Sequence, residues 1–152
     1  MTVSRQRKDR IITRDGGRCQ LRLPICQIEA TTADHRANRG RGGSQMLDHP
    51  SNLIAACGLC NEAKERADKK TRAELIACGH RVEAHATNEK TLARVQQTPY
   101  LGHDGAWYVN ASDDVRRRVA GPPAVAFAEA AGLDLTDWQR VVLAMFPMEV
   151  PS

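Results

Sequence analysis

With 152 residues, 26% of them charged and only 4% aromatic, the chain is sized for one domain, or one small domain with appendages. So thin an aromatic supply leaves a core of Leu, Ile, Val and Ala, which needs a staple such as a metal site. The basic, polar segment 1–18 does not read as a signal peptide and no run approaches the ~20 apolar residues of a membrane span, so a cytoplasmic setting with reduced thiols and no membrane partner is expected. The net charge of +4 is unevenly spread: residues 1–72 hold fifteen Lys/Arg against eight Asp/Glu, and residues 73–152 hold seven against ten. The front half therefore suits a polyanion, because cations that neutralise phosphates release condensed counterions. Arg116-Arg117-Arg118 in the back half reads as a solvated surface.

Ser4 to Asp15 is a short basic helix with Ile11 and Ile12 available to pack inward, Ser4 as its cap and Gly16-Gly17 as its end. Cys19 and Cys26 then bracket a loop in which Leu21, Leu23 and Ile25 alternate as in a hairpin. Cys57 and Cys60, with two residues between them, have zinc-knuckle spacing, and the four thiolates together can close a tetrahedral structural zinc site. The alternative is four buried cysteines in an ordinary core. Cys78, in Cys78-Gly79-His80, is a bystander at a helix end.

Ala30 to Ala33, leading into Asp34-His35, forms a first short strand, and Asn52 to Ala56 forms a second. Between them runs a loop of glycine and arginine, Arg36 to Gly43, continuing to Ser51. The second strand enters Cys57-Gly58-Leu59-Cys60, and a charged, alanine-rich helix is predicted over Asn61 to Ala77, with Gly79 just past its end. Beyond it, Arg81 to Glu83, Thr98 to Leu101 and Ala106 to Val109 are short strand candidates, the last two joined by the Gly102-His103-Asp104-Gly105 turn. Gly121-Pro122-Pro123 punctuates the chain before a helical stretch from Ala124 to Ala131. The predicted organisation is α+β: a core over 1–78, a hairpin appendage over 79–120 and a helical tail over 121–152.

Asp34-His35, Asn52 and the Cys57-x-x-Cys60-Asn61 run, in this order and spacing, resemble the HNH endonucleases, the ββα-metal or His-Me finger nucleases. The resemblance implies a ββα core that hydrolyses DNA to 5′-phosphate and 3′-hydroxyl ends. It implies His35 as general base, Asp34 and Asn61 as ligands of a catalytic divalent ion, and Asn52 as a brace that holds the loop and His35 through backbone hydrogen bonds. Asp and Asn are hard oxygen donors, so magnesium or manganese is expected there, beside structural zinc on Cys19, Cys26, Cys57 and Cys60. The chain departs from the family pattern at Asn38, where a proline is common, and at Asn61, where many members carry His. Arg36, Arg39 and Arg41, interleaved with glycines, suit a loop close to the DNA backbone, with Lys64 and Arg66 on the helix as further contacts. His49 reads as a solvent-exposed loop residue. A non-catalytic zinc-knuckle DNA-binding module is the rival reading.

The tail carries Asp137-Trp138-Gln139-Arg140-Val141-Val142-Leu143, which resembles the stretch before the ATPase motor of phage terminase large subunits. That resemblance implies a phage or prophage protein in the host cytoplasm, linked to packaging proteins. The alternatives are a packaging adaptor or an ordinary amphipathic helix. No Gly-x-x-x-x-Gly-Lys-Ser/Thr loop is present, so no nucleotide site is expected.

Overall fold

The computed structural model describes residues 3–132 as mixed α+β. The predicted basic helix is α1 (Arg5–Arg14); Ser4 Oγ accepts from the Arg7 amide, and Gly16 and Gly17 end it at φ 74° and 73°. A two-stranded antiparallel ribbon follows, β1 (Thr32–His35) with β2 (Leu53–Ala56), which pairs Asp34 with Ile54 and His35 with Leu53. The chain then enters α2 (Gly58–Glu65) directly, with Cys57 as its cap.

Several expectations need correction. The helix predicted over Asn61 to Ala77 is two, α2 and α3 (Lys69–Ala77), because the Asp68 carboxylate accepts from the Thr71 amide at 2.7 Å and starts a new helix. No hairpin spans Cys19 to Cys26: the only bridge there joins Arg18 to Glu29, and Ile25 is 53% exposed. Arg81 to Glu83 is not a strand; Val82 donates to the Arg36 carbonyl and sits in a small apolar cluster with Ala37 and Val95. The appendage contains α4 (Glu89–Gln97), capped by Asn88, and three antiparallel strands, β3 (Tyr100–Leu101), β4 (Trp107–Asn110) and β5 (Arg116–Val119). The tail opens with α5 (Ala124–Ala130), packed on α3, and Phe127 meets Trp107 edge-on at 6.0 Å. The terminase-like residues 137–143 lie outside the described residues. No helix among the described residues is long and apolar enough to cross a membrane.

Packing runs across the expected boundary at residue 78. One buried cluster joins Cys19, Cys57 and Cys60 to Ile54, Leu75, Tyr100, Ala106 and Tyr108. Gly79 makes this junction possible: its φ is +70°, and a β-carbon there would lie 2.0 Å from the Pro99 carbonyl oxygen.

Polar side chains complete what so few aromatics leave open. Asp15, fully buried, takes two bonds from the Arg14 guanidinium and a third from the Ala55 amide, while Arg14 also donates to the Leu53 carbonyl at 2.6 Å. Arg36 is 2% exposed and donates to the carbonyls of Gly79, Ser51, Val95 and Thr98, 5.4 Å from the Tyr100 ring centre. It therefore contacts no DNA, contrary to expectation. Burial lowers its pKa to about 10, which keeps it charged at neutral pH. Arg36→Ala strands four buried acceptors and leaves a cavity, so a loss of about 3–5 kcal/mol is expected. Urea denaturation measures it; a loss below about 1 kcal/mol would mean that the carbonyls find other donors.

Candidate active site and metal centre

Cys57 sits where β2 passes into α2, and Cys60 lies in the first turn of that helix. Cys19 and Cys26 come from the opposing loop, which the Gln20 amide pins to the Ala55 carbonyl at 2.9 Å. The four sulfurs lie within 4.8 Å of one another, against about 3.8 Å for the edge of a tetrahedral Zn–S site. Cys57 Sγ accepts from the Gln27 and Cys60 amides, and Cys26 Sγ accepts from Ile28. Such N–H···S bonds are what thiolate ligands require. Burial pushes the Cys19 thiol up and resists ionisation of Cys57, yet amide donors bring Cys57 to about 7. Four thiols this close cannot all ionise without a cation among them, so the donor set fits zinc. Cys78 lies outside the cluster.

At the other end of β1, Ala33, Asp34, His35, Asn38, Arg39, Gly40, Asn61 and Glu65 line a cleft of about 340 Å³. The ribbon brings Asp34 and His35, and α2 brings Asn61, into this one space. Asn52 lies deeper, fully buried at the end of a 3₁₀ turn (Pro50–Asn52). Its Oδ1 accepts from the Ala37 amide at 2.7 Å, and its Nδ2 donates to the Ala37 and Leu47 carbonyls at 2.9 and 2.8 Å. Both ends of the glycine-arginine loop are thereby tied to one carboxamide.

His35 is held by a residue that the sequence did not single out. Its Nε2 lies 2.7 Å from Asp48 Oδ1, and Arg39 bonds the same carboxylate at 3.2 Å. A carboxylate only accepts, so Nε2 carries the proton and Nδ1 keeps its lone pair. Burial lowers the His35 pKa, with Asp48 acting against it, so the ring is neutral at neutral pH.

Asp34 is 5% exposed and lies 2.6 Å from the Lys64 ammonium, which also donates to the His35 carbonyl at 2.7 Å. Burial raises the Asp34 pKa, Lys64 opposes this, and nearby Glu65 adds a small rise. Lys64, 2% exposed, is thus an internal counter-ion and not the expected surface contact with DNA. Among the described residues the Asn61 carboxamide makes no hydrogen bond, and it is not a helix cap, since Cys57 fills that place. Glu65, one turn beyond Asn61, brings a second carboxylate to the cleft; its i, i+4 spacing from Asn61 was the available signal.

Of the remaining expected contacts, Arg41 is exposed on a groove shared with His85, and Arg66 is exposed and pairs with Glu62 at 2.8 Å. His49 is a turn cap, its Nδ1 accepting from the Ser51 amide. Comparison of the chain with family models, curated proteins and solved structures returns no match.

Purified protein is expected to hold close to one zinc per chain by elemental analysis. Cys57→Ser should lose the ion and melt on the order of 10 °C lower or more, because metal binding is part of the folding energy. Well-folded wild-type protein without zinc would sink the knuckle. A separate test concerns His35, whose NMR titration midpoint is expected below the ordinary 6.5, and lower still in Asp48→Asn. The unfolded chain takes up that proton first, so this group costs stability as pH falls through about 6.5. A midpoint at or above 6.5 would show that Asp48 outweighs burial.

Proposed function

We propose that the chain is a metal-dependent HNH-type endonuclease that hydrolyses DNA phosphodiester bonds. The observation that carries this reading is His35, its Nε2 engaged by Asp48 and its Nδ1 free, in one open cleft with Asp34, Asn61 and Glu65. The short β1–β2 ribbon followed by α2 is the order of elements that such a core requires.

His35 Nδ1 takes a proton from the attacking water, and Asp48 holds the ring in the productive tautomer and steadies the imidazolium that forms. Asn52 fixes the backbone beside that ring, so the base does not drift. A divalent ion would be held by Asp34, Asn61 and Glu65, hard oxygen donors suited to magnesium or manganese. It would supply charge neutralisation at the phosphate and the leaving oxygen. Lys64 engages one oxygen of Asp34 and leaves the second for such an ion. Arg39 and Arg41 lie at the cleft and the adjoining groove, where phosphates flanking the scissile bond would run.

The Asp34–Lys64 ion pair is also what favours the rival, a DNA-binding zinc module without catalysis, since an internally neutralised carboxylate needs no ion. Supercoiled plasmid separates the two. Wild-type protein with magnesium or manganese should relax or linearise it, and a chelator should stop the reaction. His35→Ala should abolish cleavage, a loss of at least about 100-fold, while a gel shift stays nearly unchanged, because the base neutralises no phosphate. Zinc-loaded, folded protein that binds plasmid but never cuts it with either ion would establish the rival. Loss of binding together with cleavage in His35→Ala would make His35 a contact or folding residue.

A further inference from the structure

A second cationic feature lies away from the cleft. Arg18, Cys19, Arg22, Ile28 and His103 line a pocket of about 270 Å³ on the outer side of the cysteine cluster. Gln20, buried next to Cys19 in the chain, links the cations. Its Nε2 meets His103 Nδ1 at 3.1 Å, and its Oε1 accepts from the Arg116 guanidinium and the His103 amide, each at 3.1 Å. Arg22 donates to the His103 carbonyl at 2.7 Å, and the Arg116 guanidinium carbon lies over the Tyr108 ring, 3.8 Å from its centre. The Arg18 guanidinium has no hydrogen-bond or ion-pair partner among the described residues, while its carbonyl accepts from Gln20 Nε2 at 2.7 Å. Two acids are close: Glu29, the bridge partner of Arg18, is exposed and forms no ion pair among the described residues, and Asp104 is engaged by the Tyr108 hydroxyl and lies 3.9 Å from Arg118. His103 feels the crowding: burial first, then Arg116, Arg22 and Arg18, against Asp104, lower its pKa.

Two guanidiniums, Arg18 and Arg22, line the opening with His103, and Arg116 joins them through the shared Gln20 side chain; cations held this close repel one another and favour an anion among them. We propose that Arg18, Arg22 and Arg116, with His103, form a second site for the phosphate backbone of a DNA duplex. The chain between Arg18's bridge partner Glu29 and His35 is six residues long and largely extended, which places the two sites about 20 Å apart. That is just over half the rise of one B-DNA turn, a span within the length of one duplex. A lone inorganic phosphate would not need guanidiniums spread around so open a mouth. This inference rests on the reading of the chain as DNA-binding but not on its cutting DNA.

Fluorescence anisotropy of a labelled duplex of about 20 base pairs, without added divalent ion, gives affinity against salt. Arg18→Gln/Arg22→Gln is expected to bind about 5–10-fold more weakly and to lower the slope of log affinity on log salt by about 2. Zinc content and melting should stay at wild-type values, and cleavage at saturating plasmid should stay unchanged. Lys69→Gln/Lys70→Gln removes the same charge elsewhere and should leave the slope nearly unaltered. Equal losses in both doubles, an unchanged slope in the first, or no duplex binding by wild type would each overturn the site. Should the double variant fail to fold, Arg18→Gln alone, whose guanidinium holds nothing in place, is expected to lower the slope by about 1; no change would overturn the proposal. A reduced slope in a protein that never cuts plasmid would leave this site standing and remove the nuclease reading alone.

Discussion

The guanidinium of Arg36 is the interaction on which the site's geometry depends. It follows His35 directly and donates to carbonyls of the β2 approach, the α3 terminus and the α4 end. A charge this deep persists only because each of the three guanidinium nitrogens finds a carbonyl oxygen, and low surrounding polarity strengthens those bonds. Its consequence reaches beyond stability. With Arg36 anchored and Ala37 clamped by Asn52, both directly after His35, the backbone there has little freedom. The imidazole is then left only its own torsions to settle, and Asp48 settles them.

The same logic recurs through the molecule. A core with this few aromatics cannot be held by apolar area alone, so buried polar groups bridge elements that barely touch. Asp15 and Arg14 tie α1 to β2, Tyr100 donates to Asn110, and Asn110 donates on to the Leu53 carbonyl. The four cysteines fit this scheme as a donor set suited to a metal, joining the opening loop to the start of α2. Each such device is fully satisfied or strongly destabilising, which makes the fold specific and sensitive to single substitutions.

What could be read in the sequence was local. The two short strands, the knuckle spacing and the turn at Gly102 to Gly105 are set by neighbours in the chain, and each forms close to where the pattern places it. The helix break at Asp68 was missed because an acid in a charged run gives no periodic signal, although its capping chemistry is a known stop and start. α4 was missed despite Asn88 as a cap and Thr91 and Val95 at the inward spacing. Asp48 and Glu65 were not visible as site residues. Asp48 meets His35 across a loop of thirteen positions, and Glu65 is an ordinary helix acid until β1 is laid beside it. Arg36 and Lys64 were misjudged for one reason: arginine and lysine are rarely buried, so an arginine-glycine loop reads as surface until the acceptors are known.

Those two residues change what the charge asymmetry means. The front half carries its excess of cations in sequence, yet Arg14, Arg36 and Lys64 face carboxylates and carbonyls inside the fold, while Arg7 and Arg10 pair with Asp113 and Asp114 from the acidic half. The field presented to a polyanion therefore comes from fewer groups than composition suggests, and from different ones. Contributors to it include Arg41 beside the cleft, and Arg18 and Arg22 with Arg116, the last from the half whose net charge is negative. A polyanion responds to where cations stand and not to which half of the chain encodes them. Folding thus replaces a front-to-back gradient with the places that the exposed cations take on the surface.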